Sequence, residues 1–275
     1  MRYEAAADTF YPSSKSELEL FVKRSIEKAK VDEEVARSAL GFVAPHAGYV
    51  YSGEIAAYTY KALSIRSKAK TVDTFVIIGP NHTGLGAAIA VSMQDWHMPF
   101  GVVKNDIELA EAITKKSRYI QPDERAHAGE HSIEVQLPFL QKVVDNPRCV
   151  FICMGDQSLE ASKLLAKAVI DSSKELGREV VVIASSDFNH YESAETAKKK
   201  DMPAIDALKK LDYEEFNKRL GASDDTACGF GPITVAAIFS KEKGAKSGYL
   251  LKYGNSGDVN KDYSSVVAYA SMIFA

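Results

Sequence analysis

Val76-Ile77-Ile78-Gly79-Pro80-Asn81-His82-Thr83-Gly84 is an apolar, β-branched run that stops at a Gly-Pro pair. Such a run reads as a buried strand. Proline cannot donate to a sheet ladder, so the strand ends there. Asn81 and His82 then fall in the turn, just beyond the strand's carboxyl end, and in open α/β sheets that edge is where ligands bind. Two other stretches repeat the construction: Gly41-Phe42-Val43-Ala44-Pro45-His46, and Val180-Val181-Val182-Ile183-Ala184-Ser185-Ser186-Asp187-Phe188-Asn189-His190. Three distant strands that each deliver a histidine to the same kind of position predict one convergent site.

Around these strands the pattern alternates with helices. Ser14-Lys15-Ser16-Glu17 has capping-box spacing, and a helix is expected from there to about Ala29. Ser52 is expected to cap a helix running to Leu63, and Asn105 one running to Lys116. A turn with aromatic packing is expected at Trp96–Gly101, and a polar loop at Gln121–Gly129. Ile133, Leu137, Leu140 and Val144 have helical spacing, which puts His131 near a helix start. Further helices are expected over 159–176, 203–211, with Pro203 at a first helical position, and 213–220. Two strands, Gly248–Tyr253 and Ser265–Phe274, close the chain. No repeat or linker interrupts this order. The expected fold is therefore α/β: a single domain over residues 1–275, with a mixed or mostly parallel central sheet and helices on both faces.

Composition narrows the function classes. Of the 275 residues, 46% are hydrophobic and 26% charged, the balance of an ordinary globular protein. A net charge of -3 without a basic run gives no nucleic-acid footprint. No stretch is long and apolar enough to span a bilayer, and no signal-peptide core follows Met1, so a cytoplasmic location is expected, without a membrane partner. Three cysteines do not make a disulfide framework. Cys149 and Cys153 share a strand, roughly 13 Å apart, and read as small core residues.

The chemistry-bearing residues are His46, His82, His131, Asp187, His190 and Cys228. Two imidazoles with a third, anionic ligand leave coordination positions open, as catalytic metal sites do. Cys228 stands before Gly229-Phe230-Gly231-Pro232 at an expected helix start, where a thiol pKa is lowered toward the metal-binding thiolate. Asp187 beside His190 reads as a carboxylate that fixes a histidine tautomer or works with it as a base pair. His97 and His127 lack the strand-end context and read as surface or structural. No Gly-rich nucleotide fingerprint is present.

At these residues the chain resembles the Memo family. The matching pieces are Pro45-His46-Ala47-Gly48-Tyr49 with Ser52-Gly53, Gly79-Pro80-Asn81-His82, Glu130-His131-Ser132-Ile133-Glu134 with Leu137-Pro138, Ser185 to Tyr191, and Cys228-Gly229. Memo proteins resemble the LigB-type class III extradiol dioxygenases in fold. The resemblance implies His46 and His82 as metal ligands, with Cys228 where those dioxygenases have a carboxylate. It implies His190 as acid/base with Asp187 beside it, and His131 in the pocket with a catalytic part. Asn81 and Tyr49, inside the matching motifs, are expected to contact the substrate. A thiolate shifts preference toward Cu(I) or Zn and away from catechol cleavage. The expected cofactor is a divalent or redox metal, Fe, Cu or Zn, and the expected partner a small molecule or peptide. The leading reading is metal-dependent redox chemistry. A non-catalytic metal-handling or peptide-binding protein and a zinc hydrolase are the alternatives.

Overall fold

The computed structural model describes residues 1–275. In its first half, helices α1 (Lys15–Lys28) and α2 (Glu33–Arg37) precede strand β1 (Gly41–Ala44), and α3 (Tyr49–Ala69) leads to β2 (Thr74–Pro80). Strands β3 (Ile89–Val91), β4 (Trp96–Met98) and β5 (Gly101–Asn105) follow, then α4 (Ile107–Thr114), β6 (Ile120–Pro122) and α5 (Leu137–Val143). The second half runs β7 (Arg148–Met154), α6 (Leu159–Glu175), β8 (Val180–Ser185), β9 (His190–Glu192), α7 (Ala194–Lys209), α8 (Tyr213–Ser223) and α9 (Phe230–Glu242). It closes with β10 (Gly248–Asn255), α10 (Gly257–Asn260) and β11 (Val266–Phe274).

The strands join in one mixed sheet of order β10-β11-β1-β8-β2-β7-β3-β6, with β5 also on β7, β4 on β5, and β9 on β11. Its centre, β1, β8, β2 and β7, is parallel. The β10–β11–β1 side and the β3–β7 step are antiparallel. The central strands are apolar throughout because both faces are covered. Val76, Ile78, Val182 and Ile152 pack into one core with α4, α6, α7 and α9. Phe75, Ile77, Ile183 and Phe151 alternate with them into the other core, under α1, α3 and α5. A strand buried on both sides needs no polar alternation. The expected α/β architecture, with helices on both faces of a mixed sheet, is what the chain forms. No helix is long and apolar enough to cross a membrane.

Several local expectations are corrected. Ser14 precedes α1 but bonds no backbone N–H; its hydroxyl lies 3.2 Å from that of Ser16. The helix after His46 starts at Tyr49, with Gly48 as its N-cap accepting from Ser52 N–H at 3.1 Å, and the free Tyr49 N–H is taken by the Phe10 carbonyl at 2.7 Å. Ser52 therefore lies within the first turn, and its hydroxyl donates to the Ala47 carbonyl at 2.8 Å. Asp106, not Asn105, caps α4: Asn105 ends β5 and spends its amide on the Ser92 carbonyl at 2.7 Å. Trp96–Gly101 holds strand β4 and the turn at Pro99-Phe100 that leads it into an antiparallel hairpin with β5. Within Gln121–Gly129, β6 pairs in parallel with β3 before a 3-10 turn at Glu124–Ala126. The short apolar content of both segments hid their pairing. Pro203 lies inside α7, which Ser193 caps much earlier by accepting from Thr196 N–H at 3.2 Å. The polar run Glu195–Asp201 masked that start.

Candidate metal centre

The three histidine-bearing strands β1, β8 and β2 are neighbours and parallel, so their carboxyl ends open on one edge of the sheet. His46 and His82 follow β1 and β2 by two residues, and His190 opens β9 just after β8. His131 arrives from the loop before the 3-10 turn Glu134–Gln136. His46, His82 and His131 each offer a ring nitrogen within 4.8 Å of the others. The ring centroids lie 5.1 Å apart for His46–His82, 5.5 Å for His46–His131 and 4.7 Å for His82–His131. Cys228 Sγ is 3.1 Å from His46 Nε2. His131, expected as a pocket residue, thus stands as the third imidazole of the cluster.

The hydrogen bonds around the rings assign their tautomers. Ser185 Oγ donates its one proton to the Ser132 carbonyl at 2.6 Å, so His46 Nδ1–H must donate to Ser185 Oγ, at 2.9 Å. The His46 Nε2 lone pair is thereby turned toward Cys228 and the cluster. His82 Nδ1 faces Glu130 Oε1 at 2.9 Å, which fixes the proton on Nδ1 and frees Nε2. Glu130 also accepts from the N–H groups of His82 (2.6 Å), His131 (2.9 Å) and Ser132 (2.9 Å). Burial pushes its carboxyl up, but the His82 imidazole and these N–H groups outweigh burial and hold it at about 2. Burial and the neighbouring imidazoles push His46 well below the usual histidine range. Burial is also the largest cause that lowers His131, to about 4. Neutral imidazole is the form that binds metal.

Asp187, His190 and Cys228 border the cluster on its other side. Asp187 does not pair with His190, contrary to expectation. Its Oδ1 accepts from His46 N–H at 2.8 Å and Ala47 N–H at 3.3 Å, because these N–H groups at the end of β1 have no strand partner. The Thr226 carbonyl takes His190 Nδ1–H at 3.0 Å, and Thr226 Oγ1 accepts from His190 N–H at 2.7 Å. His190 Nε2 is left free, and burial lowers the ring's pKa. Burial raises Asp187 to about 7. Cys228 does precede α9, but burial and the Asp187 charge push its thiol up, the reverse of the lowering expected at a helix start.

Two expected substrate contacts have their polar atoms engaged within the protein. Asn81 Oδ1 accepts from Thr83 and Gly84 N–H and from Thr83 Oγ1, and its Nδ2 donates to the Leu85 carbonyl at 2.7 Å. Tyr49 is buried, with its hydroxyl donating to the Val135 carbonyl at 2.6 Å. His127 is buried against Trp96, with Nε2 near the Ala90 carbonyl, and half-exposed His97 pairs with Glu4; both stand away from the cluster, as read. Sequence reasoning quoted Glu130 and Ser185 within the matching motifs but gave them no role, and it missed Thr226. A carboxylate directly before His131 was the available signal for Glu130. Nothing in the sequence pointed to the Thr226 carbonyl.

The family described as Memo-like protein matches residues 2–273. A MEMO1 family protein of Methanosarcina mazei is 42% identical over 99% of this chain and 98% of its own length. One from Methanopyrus kandleri is likewise 42% identical, with the same coverage. One from Methanocaldococcus jannaschii is 40% identical over 99% of this chain and 98% of its own. The crystal structure of an uncharacterized Escherichia coli K12 protein, 12% identical, superposes with a TM-score of 0.48 over 85% of this chain and 98% of that one.

Proposed function

The chain belongs to the Memo family, and on that premise we propose that its sheet edge is a metal centre supporting metal-dependent redox chemistry. The observation that carries the reading is the meeting of His46, His82 and His131 nitrogens within 4.8 Å. The donor set fits a transition metal. Two of the imidazoles are fixed in the Nδ1–H tautomer by outer partners, as metal-ligating histidines are. The adjacent Cys228 sulfur adds a soft donor, and imidazole with thiolate suits Cu, Zn and Fe. His46, His82 and Cys228 are the proposed ligands, with His131 as a third imidazole.

The bound ion would polarise a substrate oxygen or supply a redox couple. The chain's own groups do the rest. Ser185 and Glu130 hold His46 and His82 in register. His190, with Nδ1–H tied to Thr226, presents its Nε2 lone pair and can accept a proton there. Asp187 anchors the His46 turn through two backbone N–H groups, keeping the ring in place while the ligand enters. Asn81 and Tyr49 shape the turns behind the site, so their part in substrate binding is indirect. The substrate is a small molecule or a short peptide, and the proposed setting is the cytoplasm.

Reconstitution with Fe(II), Cu or Zn, each followed by an oxygen-uptake screen, tests this reading. His190→Ala should retain the metal and lose uptake. Uptake unchanged in His190→Ala would remove its acid/base role. Metal bound stoichiometrically with no uptake across the screen would favour a second reading, metal handling without turnover, which the Cys228–His46 contact of 3.1 Å also suits.

A further inference from the structure

Resting on the reading that the cluster holds a cation, we propose that Glu134 is a positioning residue for it: Glu134 clamps the segment Arg2–Tyr11 so that Phe10 covers His131 and turns that imidazole toward His46 and His82.

The three imidazoles are oriented by different means. His46 and His82 are each held by a hydrogen bond from Nδ1. No ring nitrogen of His131 makes one; its Nδ1 lies 3.3 Å from Glu130 Oε1 without forming a hydrogen bond. Stacking orients it instead. The Phe10 ring lies over one face at 4.0 Å and 20°, and the His82 ring over the other at 4.7 Å and 25°. Without Phe10, one face of His131 would open to the neighbouring cavity of about 490 Å³ that Phe10 lines together with Phe21, Tyr49 and Tyr51. A ligand ring free to turn binds a cation more weakly, because it must be ordered at the moment of binding.

Phe10 comes from a segment with no helix or regular strand of its own. Only isolated bridges, Arg2 to Trp96 and Ala7 to Tyr11, mark it. Glu134 supplies its anchor. The carboxylate is fully buried and accepts from Ala5 N–H at 2.9 Å, Ala6 N–H at 2.9 Å and Tyr11 Oη–H at 2.6 Å, and pairs with Arg2 Nη1 at 2.7 Å. All four donors belong to the segment. Arg2 passes the connection on, since its Nη2 donates at 2.7 Å to the carbonyl of Glu130, the residue that holds His82. Between the Glu134 contacts, Asp8 at φ +62° makes the turn that presents Phe10. Phe10 N–H donates to the Ala6 carbonyl at 2.8 Å, and the Phe10 carbonyl accepts from Tyr49 N–H at 2.7 Å. The path from a buried carboxylate to the third imidazole is thus continuous. Outer partners of metal-ligating histidines commonly change affinity by 10–100-fold when removed.

Cobalt(II) titration of the full chain tests the proposal, with affinity read by chelator competition and ligand geometry read by the visible d–d spectrum. Phe10→Ala should weaken Co(II) binding about tenfold and shift the spectrum, while Phe10→Tyr, which keeps the stacked ring, should restore both. Glu134→Gln should shift the spectrum in the same sense, and Phe10→Ala added to it should change little more, since Glu134 acts on the His131 ring through Phe10. Should Glu134→Gln fail to fold, Phe10→Ala against Phe10→Tyr, each shown folded by circular dichroism, decides alone. Wild-type affinity and spectrum in folded Phe10→Ala would overturn the proposal and leave the metal centre standing. No Co(II) bound by the wild-type chain would overturn the metal centre and this proposal together.

Discussion

Glu130 and Asp187 are both buried carboxylates, each folded against the backbone of a proposed metal-binding histidine, yet they sit in opposite electrostatic states. Glu130 receives three backbone N–H groups and an imidazole N–H, and is held at about 2. Asp187 receives two backbone N–H groups, one of them long at 3.3 Å, and burial lifts it to about 7. Deeper burial with fewer donors raises Asp187, whereas more donors and the His82 imidazole offset the burial of Glu130. One side of the site is therefore a fixed anionic scaffold. The other holds protons near neutrality, with a high thiol pKa at Cys228 beside it.

The largest expected effect lies where the two sides meet. His46→Ala or His82→Ala should abolish stoichiometric metal with the fold intact by circular dichroism. On the ionised side, Glu130→Gln should weaken metal binding by about 10–100-fold in a competition assay, because His82 loses the charge that fixes its tautomer. Equal effects from Glu130→Gln and Asp187→Asn would erase the distinction between the two sides. Asp187→Asn should change unfolding free energy at pH 5 by less than about 1 kcal/mol, since an amide oxygen still accepts both N–H groups. Its signature is in the pH dependence of the metal-free protein. A carboxyl raised from 3.8 to about 7 on folding binds its proton more tightly in the folded state. Its stabilisation is complete below about pH 4 and is lost as pH rises toward 7, by at most about 1.4 kcal/mol per pH unit. Denaturant melts of Asp187→Asn should lack that decline; a slope equal to wild type would place the proton elsewhere. The smallest effect belongs to His97→Ala, which removes a half-exposed pair with Glu4. It should cost under about 1 kcal/mol and leave metal binding untouched.

Much of the convergence at this candidate site was legible in the sequence. The strand–Pro–His and strand–Asp–His segments announced β1, β2 and β8, and a ligand edge follows once such strands are parallel neighbours. The family motifs pointed to His131 and Cys228 as well. What stayed hidden was orientation. Asp187 is one turn from His190 in sequence, but the unpaired N–H groups at the end of β1 compete for its carboxylate and win. Tyr49 lies in a motif yet points into the core, because α3 begins at that residue and its hydroxyl finds the Val135 carbonyl. Phe10 and Glu134 are 124 residues apart, and only the folded chain places one next to the other's contacts. The β4–β5 hairpin and β6 were missed for a simpler reason: strands of three to five residues carry too few side chains to show a period.

The most direct test of the metal centre is elemental mass spectrometry on protein purified anaerobically without chelator or affinity metal, beside Cys228→Ser and His46→Ala. The account predicts near-stoichiometric Fe, Cu or Zn in the wild-type chain, less in Cys228→Ser and none in His46→Ala. A wild-type chain that carries no metal and takes none up on reconstitution would contradict it, and the histidine cluster would then serve another purpose.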